Sequence, residues 1–152
     1  MKKRPKTITT WLLIGWQFFL GLGAVFGGGA LTLAPDGSLL RMPLSILKYG
    51  PFHTFLIPGL ILLVVLGIYP LIIAIFLISE RNFTLGKQLA IFHDKYWAWS
   101  HSVYIGFLLI GWLTIEMYAL QQVSVVHLIY MLLALTILAL TLLPSVQRHY
   151  TR

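Results

Sequence analysis

The chain has 152 residues, 59% of them hydrophobic and only 10% charged, with a mean hydropathy of +0.87. Soluble domains carry roughly 25% charged residues, so this composition cannot clothe a water-facing surface. The net charge of +7 sits in short segments flanking apolar runs, a pattern of membrane orientation and not of a nucleic-acid face. Cysteine is absent, which excludes disulfides, thiolate metal sites and thiol redox chemistry.

Residues 1–10 hold Lys2, Lys3, Arg4 and Lys6, and no further charge follows until Asp36. The first apolar run, 11–30, is long enough for a hydrocarbon core, which needs about 20 residues. A basic start and apolar core also fit a cleaved signal peptide. Against cleavage stand the length of the run, Gln17 within it, its Trp and Phe residues and the lack of a clean A-x-A, so the span is expected to be retained. Gln17 itself reads as an interhelical hydrogen-bonding residue. Small residues crowd the second half of this run. Gly23 and Gly27 form a GxxxG pair that lets another helix approach closely, inside the monomer or at a homodimer seam.

The stretch 27–59 carries dense turn chemistry and organises the runs around it. In Pro35-Asp36-Gly37-Ser38, proline presets φ, aspartate accepts from nearby backbone N–H groups and glycine takes a positive φ. Pro43 suits the first position of a short helix carrying Leu44, Ile46 and Leu47, which Gly50 and Pro51 end. This segment is expected to lie on the membrane surface.

A second span is predicted over 53–79, kinked at Pro70, which removes one backbone hydrogen bond. The polar connection 80–96 is expected to hold a short amphipathic helix capped by Thr84, with Leu85, Leu89 and Phe92 on one face. The third span, 97–119, and the fourth, 124–144, are joined by a short turn at Gln121-Gln122 and must be antiparallel neighbours. A polar, basic tail, 147–152, follows. Nine of the eleven Lys and Arg residues fall on the side of the termini and the 80–96 loop, leaving only Arg41 and Lys48 opposite. By the positive-inside rule both termini are cytoplasmic, with Trp11, Trp97 and Trp99 at the cytoplasmic interface.

Glu116 is the only carboxylate inside a span. Burying an acid at a helix centre costs roughly 2.5–3.5 kcal/mol on the insertion scale, so the residue is either a functional group or an interfacial acid reaching water. His127, in the first turn of the fourth span, should lie close to it. His53, at the outer end of the second span, and Asp36, in the outer loop, share its depth. Carboxylate and imidazole suit divalent cations, so Glu116, His127, His53 and Asp36 are candidates for a proton- or cation-binding cluster. Their spacing matches no established metal motif, and no cofactor motif is legible. Near the other end, His93, Asp94 and His101 surround Trp97 and Trp99, a grouping that interfacial anchoring explains.

Three passages resemble those of a known family. PDGSLLRMPLSILKYGPFHTFLIPGLILLVVLGIYPL (35–71), FHDKYWAWSHSVYIGFLLIGWLTIEM (92–117) and the final hairpin are together similar to small, uncharacterised bacterial membrane proteins with four spans, DoxX-like in layout. The resemblance implies a four-helix bundle in a bacterial cytoplasmic membrane. It implies no activity, cofactor or catalytic residue, and it implies that the Glu116 position is often an amide.

The expected fold is a single all-α transmembrane domain over 1–152, an up-down four-helix bundle with a structured outer loop between the first two helices. Three functional readings follow. The first is a non-enzymatic accessory or interaction protein, with the lipid bilayer and a second copy or another membrane protein as partners and no nucleic acid. The second is binding or transport of a small ligand, proton or cation near the outer face. The third is a lipid- or quinone-related membrane enzyme.

Overall fold

A computed structural model describes residues 5–152. Among the described residues, four helices are long and apolar enough to cross a membrane: Ile8–Leu33, Leu56–Ser79, Trp97–Leu120 and Val125–Leu142. They are numbered below as the first to fourth spans. Two short helices, Thr84–Gln88 and Pro144–Tyr150, join or follow them. Among the described residues the only extended pairing is one bridge between Lys95 and Thr151. Lys2, Lys3 and Arg4, part of the charge asymmetry, lie outside the described residues.

The spans keep the predicted order, with ends set by local chemistry. The first begins at Ile8, earlier than its apolar run, because the Thr7 hydroxyl accepts the Thr10 N–H at 3.3 Å and caps it. The second begins only at Leu56, so His53 lies in the preceding loop and not on a helix end. Ahead of Pro70 the second span opens into a π-helical segment, Leu62–Ile68, where the Tyr69 N–H reaches back to Val64. Widening the turn is one way for a helix to accommodate a proline whose ring crowds the preceding carbonyls.

Backbone contact between the first two spans fixes the bundle. A Cβ on Gly28 would stand 2.4 Å from the Leu63 nitrogen and 2.7 Å from the Gly59 oxygen. Gly21 meets Leu71 and the Gly67 carbonyl in the same way, and Gly67 meets the Val25 backbone. The close seam thus uses Gly21 and Gly28, two turns apart, on one helix and Gly59 and Gly67 on the other. Gly23 and Gly27, the predicted pair, face away from it. A Cβ on Gly27 would meet nothing within 4 Å, and one on Gly23 would meet only the Tyr130 hydroxyl.

At the end bearing the termini, the tail is folded. Leu143 is extended ahead of Pro144, so the fourth span stops at Leu142 and Pro144 opens a separate helix instead of closing the span. That helix buries Val146 and Tyr150. The Tyr150 hydroxyl donates to the Leu77 carbonyl at 2.9 Å, and the Tyr150 carbonyl accepts the Tyr96 N–H at 2.7 Å. Lys6 and His149 both bond the Glu80 carboxylate. Burial alone would raise that carboxyl, but these two bonds outweigh it and hold it below the ordinary value. Trp97 and Trp99, expected at the lipid interface, point inward instead and are 3% and 2% exposed. Their indole N–H groups bond the Arg81 and Thr141 carbonyls. Phe83, in extended conformation, precedes the Thr84–Gln88 helix in place of the predicted Thr84 cap. Leu85, Leu89 and Phe92 are exposed as an interfacial face requires.

At the opposite end, here the loop end, the 34–55 connection crosses the bundle in two single 3₁₀ turns, Ser38–Leu40 and Leu44–Leu47. Gly37 takes the predicted positive φ of 79°, and Asp36 accepts the Ser38 N–H at 3.1 Å. Leu31, Leu47 and Phe55 form a small core beneath this loop.

The glycine seam is open to test by thermal unfolding in a fixed detergent. Gly28→Ala should lose about 1–3 kcal/mol through overpacking against the backbone of the second span. Gly29→Ala, whose Cβ would meet nothing within 4 Å, should stay within about 0.5 kcal/mol of the parent.

Candidate functional site

The glycine seam closes one side of the bundle, and the fourth span lies across the first without such contact near the loop end. The result is a cavity of about 380 Å³. The first span contributes Gly23 and Gly27, the second Leu62 and Leu66, the third Trp112 and Glu116, and the fourth His127 and Tyr130. Leu40, Met42 and Ile46 of the loop form its roof, so the segment expected to lie on the membrane surface also covers a cavity. Volume and lining match small-molecule sites, which are mostly apolar with a few convergent polar groups.

Two of the four predicted site residues meet here. Glu116 Oε2 and His127 Nε2 lie 3.9 Å apart, with side chains 28% and 9% exposed. The other two do not join them. Asp36 is exposed in the loop, where bonds from Ser38 hold its carboxyl below the ordinary value, and His53 is exposed beyond the start of the second span. Among the described residues, no three His, Asp or Glu side chains are placed to hold a metal ion.

His127 is oriented by its own helix start. Ser124 caps the fourth span, its hydroxyl accepting the His127 backbone N–H while His127 Nδ1 accepts the Ser124 backbone N–H at 3.1 Å. Ser124 Oγ also lies 2.8 Å from Nδ1. Ser124, His127 and Glu116 therefore stand in a line that superficially suggests nucleophile, base and acid. The cap accounts for the first contact, however, and 3.9 Å is too long for a hydrogen bond in the second. The arrangement aims the far edge of the imidazole at Glu116 and leaves a gap between them.

Trp112 and Tyr130 complete the polar edge, and sequence reading passed over both. Trp112 is one turn before Glu116 and Tyr130 one turn after His127, so helical spacing of three and four places them on the faces already singled out. The buried histidine at the other end differs in kind. His101 Nε2 donates to the Gly86 carbonyl at 3.0 Å and Nδ1 accepts the Tyr69 hydroxyl at 2.6 Å, so both ring nitrogens are satisfied structurally. Gln17 donates to Ser102 Oγ at 2.8 Å, the interhelical bond its position foretold.

These geometries separate a cap from a site. His127→Ala should cost about 1 kcal/mol of stability through loss of the capping box. Glu116→Gln should leave the unfolding temperature nearly unchanged, because the amide oxygen can still accept from the neighbouring Trp112 indole. Thermal unfolding of both variants in one detergent checks the pair; a large loss in Glu116→Gln would make that residue structural.

No family model, curated protein or solved structure matches the chain.

Proposed function

We propose that the chain is a multi-pass protein of a bacterial cytoplasmic membrane, both termini inside, that binds a small and mostly apolar molecule in the loop-end cavity. With that orientation the cavity lies on the outer side of the bundle, beneath the loop. The observation that carries the reading is a mostly apolar volume lined by all four spans, with Glu116, His127 and Tyr130 in its wall. A bundle built only for packing would fill such a space, since close-packed interiors hold few voids larger than a water molecule. The accessory-protein reading drew on the glycine face of the first span. Of that face, Gly21 and Gly28 are engaged within the chain, while Gly23 and Gly27 line the cavity. Glu116 and His127 act in this reading as contacts for the ligand's polar group and not as a metal site.

Native mass spectrometry on protein extracted gently from its own membrane tests this. The parent should carry a reproducible extra mass of one small molecule. Gly27→Leu, which adds a side chain into the cavity where a Cβ meets no neighbour, should fold normally and lose it. A parent that carries only scattered lipids, indistinguishable from Gly27→Leu, would refute the reading.

A further inference from the structure

The way into the cavity is set by which of its walls are exposed. Among the described residues that line it, only Gly23, Gln122 and Val126 are exposed. Gly23 belongs to the first span and Val126 to the fourth, and Gln122 precedes the fourth span in its connecting turn. The other walls are closed. Gly21 and Gly28 seal the first two spans together, Leu66, Leu109 and Leu113 are buried, and Leu40, Met42 and Ile46 form the roof. Gly27 stands between Gly23 and the roof, and a Cβ there would meet nothing within 4 Å. The Tyr130 hydroxyl, beside Gly23, marks the lower end of the gap. The cavity therefore opens sideways, between the first and fourth spans, where the neighbouring Leu22, Phe26 and Ile129 are exposed apolar side chains.

This slot has the depth of one leaflet. Leu66 lies ten residues beyond Leu56, where the second span starts, and Leu109 lies eleven before Leu120, where the third ends. At 1.5 Å per residue the floor stands about 15 Å below the loop end, half of a hydrocarbon core about 30 Å thick. Gly23, ten residues before Leu33, reaches the same level. Polarity falls along the same axis. Glu116, Gln122, Ser124 and His127 stand within about one turn of the loop-end helix termini. Below them the Trp112 indole is taken up by Glu116, and the Tyr130 hydroxyl is the remaining polar group. The upper end of the slot thus meets the interface at Gln122, and the lower end meets hydrocarbon. A water-soluble ligand would have to leave water for an apolar floor at the bilayer midplane. A helix of a second copy, about 10 Å across with its side chains, could cover the slot but is too thick to enter the 380 Å³ behind it. A lipid standing in its own leaflet has the same sequence of polar end and apolar chain over the same depth. We propose that the cavity takes one acyl chain of a lipid from the adjoining leaflet, entering sideways between the first and fourth spans. Its polar end stands level with Gln122 and its chain end lies against Leu66 and Leu109. This names the source of the molecule in the binding reading above and rests on that reading.

The experiment reconstitutes the full-length protein in phosphatidylcholine vesicles whose lipid carries a photoactivatable diazirine, either near the end of the acyl chain or beside its ester, and maps the adducts by mass spectrometry. The chain-end probe should mark the floor residues Leu66, Leu109 and Leu113, which are buried from ordinary lipid contact. The ester-side probe should mark Leu120, Gln122 and Val126 instead. Gly27→Leu should lose the floor adducts and keep those on the exposed Phe19 and Phe107. Gly23→Leu, at the lower end of the slot, should do the same, and unfolding temperatures near the parent's check that both variants fold. Adducts confined to exposed residues, equal in parent and variants, would overturn the lipid assignment. A parent that then still carries an extra mass lost in Gly27→Leu holds another apolar molecule, and the binding reading stands; a parent without one loses both. High-yield disulfide dimers of Gly23→Cys in the native membrane would put a second copy over the slot and overturn entry from the side.

Discussion

Two helices can lie backbone against backbone only where side chains are absent, and the first two spans do so along Gly21, Gly28, Gly59 and Gly67. In a bilayer, lipid tails are as apolar as leucine, so helix association draws on close packing and hydrogen bonds more than on apolar burial. The seam supplies such packing between two long helices. The cavity lies on the other side of the first span, lined by Gly23 and Gly27 and by His127 and Tyr130 of the fourth. The π-helical segment belongs to the same arrangement, since it carries Gly67 to the Val25 backbone just before Pro70.

The two ends of the bundle use polar groups differently. Where the termini lie, tryptophans, tyrosines and a histidine are buried and paired: Trp97 and Trp99 reach carbonyls, Tyr96 and Tyr150 bind loop and helix ends, and His101 uses both nitrogens. Lys6, Glu80 and His149 tie three segments together beside them. At the loop end Trp112, on the same helix as Trp97 and Trp99, reaches no carbonyl and has only the Glu116 carboxylate beside it, and Glu116 and His127 stop short of each other. One end reads as a clamp, and the other as a site.

Much of the fold was legible in the sequence because hydrocarbon thickness imposes it: long apolar runs, short connections and flanking charges leave few alternatives to four spanning helices. The Asp36–Gly37 turn was legible for local reasons, as its geometry depends on those residues alone. What escaped depends on helix facing. Gly23 and Gly27 satisfy the small-residue spacing as well as Gly21 and Gly28 do, and only the partner helix decides which pair is used. Trp97 and Trp99 stand at the right level for an aromatic belt, yet Phe76, Phe83 and Gly86 pack on the first and Phe92 and the Thr141 carbonyl on the second, and the buried tail residues Val146 and Tyr150 gave little apolar signal among Gln147, Arg148 and His149. For the site, the pairing of Glu116 with His127 followed from a short hairpin. Asp36 and His53 shared only depth with that pair, and depth does not fix position around a bundle.

A cavity between the spans, on the outer side of the bundle beneath the loop, is the feature on which the binding reading stands. The chain has no cysteine, so one introduced thiol is a clean reporter. Gly27→Cys in intact cells should react with a small, membrane-impermeant thiosulfonate, while Gly15→Cys, on the exposed apolar surface of the same helix, should not react from either side. Labelling of Gly27→Cys only after permeabilisation would contradict the orientation, and no labelling under any condition would contradict the cavity.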